Sequence, residues 1–191
     1  MRYLMPFILL LASQALQAAW MLDNSRSGLN YLSTKKGHVM EAGNTFTSLQ
    51  GGVDDSGNAR LAIALDTVDS HIPIRNQRMR QYLFETGRFP TAVFTTRIDP
   101  SQLEGLGAGE ERRIAVSGQL ELHGVKGRIV TELRVIGLKD GALRVETTVP
   151  VILNALDYAL GSGIEKLKKL ARLSAISTSV PVSFSLVFKP E

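Results

Sequence analysis

Apolar and polar residues alternate over much of the chain, and this alternation predicts β-strands. The most regular stretch runs from Ile114 to Leu122, where apolar residues or glycine take every second position. A period of two with one apolar face is typical of antiparallel strands in a sheet that has one solvated side. Strands are predicted at residues 20–23, 28–33, 46–53, 61–65, 93–98, 114–122, 128–135, 143–151 and 180–188.

Turn residues separate these strands and indicate how the sheet is arranged. Residues 54–58 are rich in Asp, Ser, Gly and Asn, Gly124 marks a turn, and Lys139-Asp140-Gly141 is typical of a type I′ hairpin. About eight strands in succession without alternating helices favour closure into an antiparallel barrel, because closure removes exposed sheet edges. Few inward positions carry aromatic side chains, which favours a barrel that encloses a cavity.

One segment interrupts the alternation with a helical pattern. Over residues 75–85, Met79 and Leu83 share one face by their spacing, while several arginines occupy the rest of the circumference. Pro90 prevents the helix from continuing. The pattern therefore predicts a short amphipathic helix, half exposed, that leads directly into a strand.

A second helical pattern covers residues 163–173. Ile164 and Leu167 begin an apolar stripe, and Lys and Arg residues form the opposite face. We expect this helix to pack on the outside of the sheet with its basic face in solvent. The alternative is a lid over the barrel mouth that also touches an anionic membrane surface.

The first nineteen residues have the pattern of a secretory signal peptide. Arg2 precedes a short apolar run, the segment ends in small residues, and cleavage is expected near Ala18 or Ala19. We therefore expect one domain at residues 20–191, located in the bacterial periplasm or the extracellular medium. The chain has no cysteine, which excludes disulfides and thiolate metal sites.

The net charge and the spacing of the histidines argue against nucleic-acid binding and against a metal site. The net charge of +4 falls to +3 when Arg2 leaves with the leader. A charge this small, without a basic stripe, does not predict nucleic-acid binding. His38, His71 and His123 lack the spacing of metal ligands, so no metal site is predicted.

Catalysis is the minority interpretation. Ser70 and His71, beside Asp66 and Asp69, supply the residue types of a hydrolase triad, but sequence neighbours rarely converge into that geometry. We therefore predict a protein that is not an enzyme and needs no cofactor. The arginines at positions 75, 78, 80 and 88 could clamp a phosphate or an acidic head group, or could pair with nearby acids, and the pattern leaves both options open.

Short motifs in this pattern resemble a known family. The first helical segment ends in FETGRFPTAVF, with Phe89-Pro90 followed by Phe94, and a later strand pair reads SGQLELHGVKGRIV. With the leader and a first strand near Trp20, these motifs resemble the YceI-like family of exported lipid-binding proteins over nearly the whole mature chain. The resemblance implies an all-β fold, an extended lipocalin-like antiparallel β-barrel with one or two short helices. It also implies a tunnel that holds a polyisoprenoid, such as an isoprenoid quinone or a prenyl chain, without catalysis.

The barrel interior is the candidate binding site for this apolar lipid. We predict that inward side chains line the tunnel and that Arg75 and Arg78 contact a ligand head group. The predicted lining residues are Phe94, Val116, Leu120, Leu122, Val145, Val149, Phe184 and Leu186. Transient contact with a membrane surface and a homodimer are further options that the pattern leaves open.

A function of another class fits the same pattern. An exported protein-interaction module would have a barrel filled by side chains and would use the arginine-rich helix at residues 75–85 as its contact surface. The two interpretations differ in one structural feature, because only a carrier needs a continuous apolar cavity. We favour the carrier, since an apolar interior is sufficient to bind a chain without hydrogen-bonding groups.

Overall fold

Twelve strands make up the β-structure of residues 18–191, which are the residues that the computed structural model describes. They are β1 (Ala18–Leu22), β2 (Gly28–Lys35), β3 (Val39–Phe46), β4 (Leu49–Asp54), β5 (Asn58–Ala64), β6 (Val68–Asp69), β7 (Thr91–Arg97), β8 (Glu111–Leu122), β9 (Val125–Gly137), β10 (Leu143–Thr147), β11 (Val151–Asn154) and β12 (Ser179–Pro190). The leader predicted at residues 1–19 lies outside the described residues, except for Ala18 and Ala19, which begin β1.

Eight of these strands close into an antiparallel barrel. In order around the ring they are β1, β4, β5, β7, β8, β9, β10 and β12, and β12 pairs again with β1 through the register of Trp20 with Pro190. The predicted all-β antiparallel barrel is thus confirmed. Each strand of the ring has a partner on both sides, so the ring has no free edge.

The other four strands extend the barrel wall beyond one end of the ring. β2 and β11 pair with β12, β3 pairs with β2, and β6 pairs with β3. β1 and β2 lie along the same edge of β12 and so form one long strand with a break; β10 and β11 do the same along its other edge. We call this extended end the cap end and the opposite end the sheet end.

Two of the strands predicted as continuous are interrupted in the structure. The predicted strand 46–53 is divided between β3 and β4, which are separated by a break after Phe46. The predicted strand 143–151 stops at Thr147 and resumes as β11. Pro150 lies in the intervening bend, and proline interrupts strand pairing because it has no N–H to donate.

The two long hairpins have different connections. His123 and Gly124, with φ of 53° and 76°, join β8 to β9 by a two-residue turn, as expected at Gly124. The connection from β9 to β10 is longer than the predicted type I′ turn. Five residues, from Leu138 to Ala142, separate the strands, and at their centre Asp140 and Gly141 have the positive φ angles, 60° and 72°, that the predicted type I′ turn requires.

Two helical segments lie at the cap end. α1 (Pro73–Arg78) has proline in its first turn, where the missing N–H removes no hydrogen bond, and it continues as a π-helical turn (Met79–Leu83). α2 (Gly161–Leu170) lies between β11 and β12. Each begins two residues before the start that the sequence predicts and ends sooner. Among the helices of residues 18–191, none combines the length and apolarity needed to cross a bilayer.

α2 packs directly on the π-helical turn. Gly163 is buried at this contact, and a Cβ there would lie 2.8 Å from the Cα of Leu83, closer than packed atoms approach. Glycine is therefore the residue that permits the helices to meet. Lys166 Nζ lies 5.4 Å from the centroid of the Tyr82 ring at the same interface. The two segments form one cap.

Candidate binding cavity

Two adjoining cavities occupy the barrel interior. The sheet chamber, of about 160 Å³, lies within the ring of eight strands, and the cap chamber, of about 390 Å³, lies between the ring and the two helices. The larger volume is in the range of small-molecule sites, about 300–1,000 Å³. The residues that line both chambers, and so mark their boundary, are Leu29, Ile63, Leu120, Leu153 and Val182.

The strand alternation produces the sheet chamber. On β8, Ile114 and Val116 are buried, while the residues that flank them are exposed. Phe94 on β7 lies across Gly118 on β8, where a Cβ would come within 2.6 Å of the Thr95 carbonyl oxygen and would also collide with the Phe94 ring. Glycine at this position leaves room for the Phe94 ring in the chamber wall. The chamber therefore offers a ligand mainly hydrocarbon contacts.

Aromatic residues and the helices build the cap chamber. The rings of Tyr31 and Phe84 each lie 5.7 Å from the ring of Phe46. Met79 of the π-helical turn and Ile164 of α2 are buried and close the chamber at the cap end. The expectation that α2 packs on the outside of the sheet is wrong, because Ile164 and Leu167 of its apolar stripe line the cap chamber and the helix covers the barrel end. Leu170, in its last turn, is exposed together with the basic face.

The cap chamber opens to solvent beside the start of α1. Ile72 and Ile74 line the chamber and are nevertheless 43% and 51% exposed. The end of β2 lies at the same opening, where Lys35 and Ile176, both lining residues, form an isolated β-bridge. We call this opening the mouth. A ligand in the cap chamber reaches solvent there.

Protein groups engage Arg75 at the mouth. Its Nε donates to Ser70 Oγ at 2.8 Å, its Nη2 donates to the Ser70 carbonyl oxygen at 2.6 Å, and its Nη1 forms an ion pair with Glu41. Lys35 Nζ also donates to Glu41, at 2.5 Å. Burial raises the pKa of Glu41, but the hydrogen bonds from Lys35 and Arg75 outweigh it and hold the pKa below its ordinary value. Glu41 therefore balances part of the positive charge at the mouth.

Arg78 is engaged less strongly. It lines the cap chamber, and its Nη1 donates to the Leu170 carbonyl oxygen at 3.4 Å. Within residues 18–191 it forms no ion pair with a carboxylate. Of the two residues predicted to contact a head group, Arg78 is thus the one whose charge is available to a ligand, and the contact itself stays a prediction.

The Tyr31 hydroxyl is a buried polar group in the wall of the cap chamber. The Tyr31 hydroxyl donates to Met79 Sδ at 3.5 Å, and burial raises the pKa of Tyr31 above its ordinary value. The phenol is therefore neutral at physiological pH and can donate a hydrogen bond to a polar ligand group. Sequence reasoning assigned Tyr31 to a strand and missed it as a site residue.

Seven of the eight predicted lining residues lie on cavity walls. Leu122 lines the cap chamber, and Leu120 lines both chambers. The sheet chamber is lined by Phe94, Val116, Val145, Phe184 and Leu186. Val149 is a correction, because it is 63% exposed in the bend before β11, where the strand breaks and the alternation loses its inward register. Ligand contact by the other seven stays a prediction.

Apart from Leu120, Leu122 and the two arginines, sequence reasoning missed the walls of the cap chamber. Its walls include Phe46 and Phe84, which come from a strand end and from the residue after the π-helical turn. The apolar stripes of the two predicted helices, marked by Met79 and Ile164, were the available indication. Each stripe needs an apolar partner, and the open end of a barrel is a surface that both can cover.

The residues considered for hydrolysis do not form a triad. Ser70 Oγ donates to Asn76 Oδ1 and accepts from Arg75 Nε. His71 is exposed, and its Nδ1 lies 3.5 Å from Asp69 Oδ2. Among the described residues, no hydrogen bond joins the side chains of Ser70 and His71. That same part of the chain contains no group of three or more His, Cys, Asp or Glu that could hold a metal ion.

A closed antiparallel barrel around an apolar cavity defines a protein of the lipocalin-like class. Residues 20–188 match the model of the YceI-like domain, and the chain therefore belongs to the YceI-like family.

Solved structures show the same fold. The polyisoprenoid binding domain from Saccharophagus degradans implicated in plant cell wall breakdown is 42% identical, with a TM-score of 0.89 over 92% of this chain and 100% of that domain. Burkholderia cenocepacia BcnA is 19% identical, with a TM-score of 0.66 over 87% of this chain and 98% of that one. The Campylobacter jejuni YCEI protein is 16% identical, with a TM-score of 0.53 over 81% and 87%. Among proteins with a curated functional description, none matches this chain.

Proposed function

We propose that this protein binds a polyisoprenoid lipid, such as an isoprenoid quinone or a prenyl chain, inside the barrel and carries or sequesters it without catalysing a reaction. The observation that carries the proposal is the pair of adjoining apolar chambers with a mouth that carries charged groups beside exposed isoleucines. The Saccharophagus degradans relative, described as a polyisoprenoid binding domain and 42% identical, supports the ligand class.

The chemistry of the cavity fits such a ligand. A prenyl chain has no hydrogen-bonding group, so its binding free energy comes from apolar area removed from water, at about 25 cal/mol per Å². The sheet chamber and the boundary residues provide that area. The polar end of the ligand stays at the mouth, where Arg78 and the Tyr31 hydroxyl can reach it.

The compartment is part of the proposal. The leader pattern at residues 1–19 supports export to the periplasm or the medium. A long apolar lipid is excluded from the water of that compartment, so it needs a protein that encloses it in order to leave a membrane. No cofactor is required for this role.

The interaction-module alternative is less well supported. It requires a barrel filled by side chains, whereas the described barrel encloses chambers of about 390 and 160 Å³. It also requires the arginine-rich helix to face a partner, but the Arg75 side chain is directed to Ser70 and Glu41.

Native mass spectrometry of the mature protein, purified from bacterial periplasm and followed by organic extraction, tests the proposal. We expect a copurifying prenyl-type lipid in the wild type and in Ala115→Trp, which adds an indole on the outside of β8. Val116→Trp should lose the lipid, because the same indole fills the sheet chamber. A wild-type protein that is free of lipid and does not take up added isoprenoid quinone would contradict the proposal.

A further inference from the structure

We infer that the residues around the mouth dock onto the surface of an anionic phospholipid bilayer. This inference rests on the proposed function, because a lipid carrier must load from a membrane, and it adds the surface that makes the contact. We define the mouth rim as the exposed residues Lys36, Val39, Ile72, Ile74, Lys169, Leu170 and Arg172.

The apolar part of the mouth rim surrounds the opening. Ile72 and Ile74 form one side of it, and the hydrogen bond from Arg78 to the Leu170 carbonyl oxygen places the end of α2 beside them. Val39, which is 40% exposed, pairs with the lining residue Lys35 and so lies on the same face of the β2–β3 hairpin. The ion pair of Glu41 with Arg75 places that face at the same opening. Exposed aliphatic side chains around a cavity entrance are suited to insertion among acyl chains.

The charged part of the mouth rim is positive. Lys169 and Arg172 lie at the end of α2, and Lys36 lies in the β2–β3 turn. The nearby acids are already engaged, since Glu41 pairs with Lys35 and Arg75, and Glu165 pairs with Lys168. Within residues 18–191, the three basic residues of the rim form no ion pair. Such a surface complements the phosphates of anionic lipids, and its aliphatic centre complements the layer beneath them.

Docking in this orientation has a direct consequence for the ligand. The mouth would face the acyl layer, so that a prenyl chain could pass between membrane and cap chamber without crossing water. A binding partner of protein type would explain the apolar residues but would not require them to encircle the cavity entrance. We therefore assign the mouth rim to a lipid surface.

Flotation with lipid vesicles tests the charged part of the rim. The wild-type mature protein should bind phosphatidylglycerol-containing vesicles at least about tenfold more strongly than pure phosphatidylcholine vesicles, and salt should weaken the binding. Lys169→Glu with Arg172→Glu should abolish the preference for anionic lipid. The matched control, Lys139→Glu with Lys189→Glu, makes the same charge change at the sheet end and should retain it.

A second pair of variants tests the apolar part. Leu170→Asp should lower the affinity for anionic vesicles by about tenfold, whereas Ile152→Asp, the same aliphatic-to-acidic change at an exposed residue on β11, should not. None of the residues changed in the charge-reversal variants or in Leu170→Asp lines a chamber. Each of these variants should therefore bind a short-chain quinone in solution as the wild type does.

The outcomes separate this inference from the proposed function. Quinone binding in solution without any vesicle binding, or equal vesicle binding by the rim variants and their controls, overturns the docking surface and leaves the carrier intact. Vesicle binding without quinone binding contradicts the proposed carrier function and leaves the docking surface intact. A dimer in analytical ultracentrifugation that dissociates in Leu170→Asp would assign the rim to a second copy of the chain and overturn the inference.

Discussion

The sheet chamber and the cap chamber share boundary side chains, yet their walls are built from different kinds of structure. Strands of the closed ring, each paired on both edges, form the walls of the sheet chamber. The cap chamber is enclosed partly by the extension strands β2, β3 and β11 and partly by two helical segments that meet at Gly163. Packed helices can separate without breaking strand pairs, so we expect the cap to open more easily than the ring. The difference indicates that the ring fixes the width of the sheet chamber, whereas the enclosure of the cap chamber depends partly on how the two helical segments pack.

The largest expected effect concerns the rigidity of the two walls. We expect Leu186→Ala, in the sheet chamber, to lower the free energy of unfolding by about 2–5 kcal/mol, because Leu186 is 3% exposed and the ring cannot collapse around the space. Leu167→Ala, on the half-buried wall of the cap chamber, should cost about 1 kcal/mol, since the helix can relax. Urea denaturation measures both. Equal losses would show that the cap is as rigid as the ring.

The next effect concerns the contact that holds the cap together. Gly163→Ala should lower the free energy of unfolding by about 1–3 kcal/mol, because its Cβ would collide with the backbone of the π-helical turn. Gly161→Ala is the control, since the Cβ there meets only the end of the exposed Leu156 side chain. Hydrogen exchange should accelerate in α2 and leave β8 protected. Loss of protection in β8 would mean that ring and cap open as one unit.

A smaller effect tests whether one ligand spans both chambers. Leu153 lines both, whereas its neighbour Ile152 is exposed on the outside of β11. Leu153→Trp should weaken binding of a long-chain isoprenoid quinone about tenfold, or about 1.4 kcal/mol, and should affect a single-prenyl analogue less. Ile152→Trp should change neither affinity. Tryptophan fluorescence titration or native mass spectrometry gives both values, and equal losses for the two ligands would confine the ligand to one chamber.

The smallest effect compares two carboxylates as the pH falls. The Arg134 hydrogen bond is the main cause that lowers the pKa of Glu146 on the ring, while at the mouth the hydrogen bonds to Glu41 prevail over its burial. A carboxylate with a lowered folded-state pKa stabilises the protein above its unfolded pKa, about 4.3, and loses this contribution as the pH falls through the folded value. Both are partly exposed, so each contributes about 1 kcal/mol or less.

Single variants separate the two contributions. Glu41→Gln and Glu146→Gln should each be less stable than the wild type near neutral pH and should lose less stability between about pH 5 and pH 3. Thermal melting across that range measures the slopes. A variant whose stability falls as steeply as that of the wild type would show that its carboxylate makes no such contribution.

The ring could be predicted from sequence because one physical rule governs it. Buried and solvated faces impose a period of two, so β8 and β12 were located from their alternating residues. The breaks could not be predicted, because a break depends on whether a neighbouring strand continues beside it. Val149 continues the alternation of its strand in sequence. However, the pairing of β10 with β9 ends at Thr147, and Val149, beyond that point, is exposed.

The candidate site likewise has one part that the sequence predicts and another part that it does not. Residues of the sheet chamber such as Val116 and Leu186 follow from strand periodicity. The role of α2 does not, because an amphipathic stripe indicates that a helix covers something apolar without indicating what. Likewise, the arginines are equivalent in sequence, whereas in the structure Glu41 binds Arg75 and leaves Arg78 without a carboxylate partner among the described residues.

The pairing of Trp20 with Pro190 makes barrel closure a late event in folding. The hairpin of β8 and β9 can form as soon as its own residues have been synthesised, but the ring closes only when β1 meets β12. Contacts between distant parts of a chain form slowly because loop closure costs entropy. Until β12 is made, the edges of β1 and β10 that it will cover are exposed to other chains. Trp20 is the only tryptophan and lines the sheet chamber, so its fluorescence reports the moment at which that exposure ends.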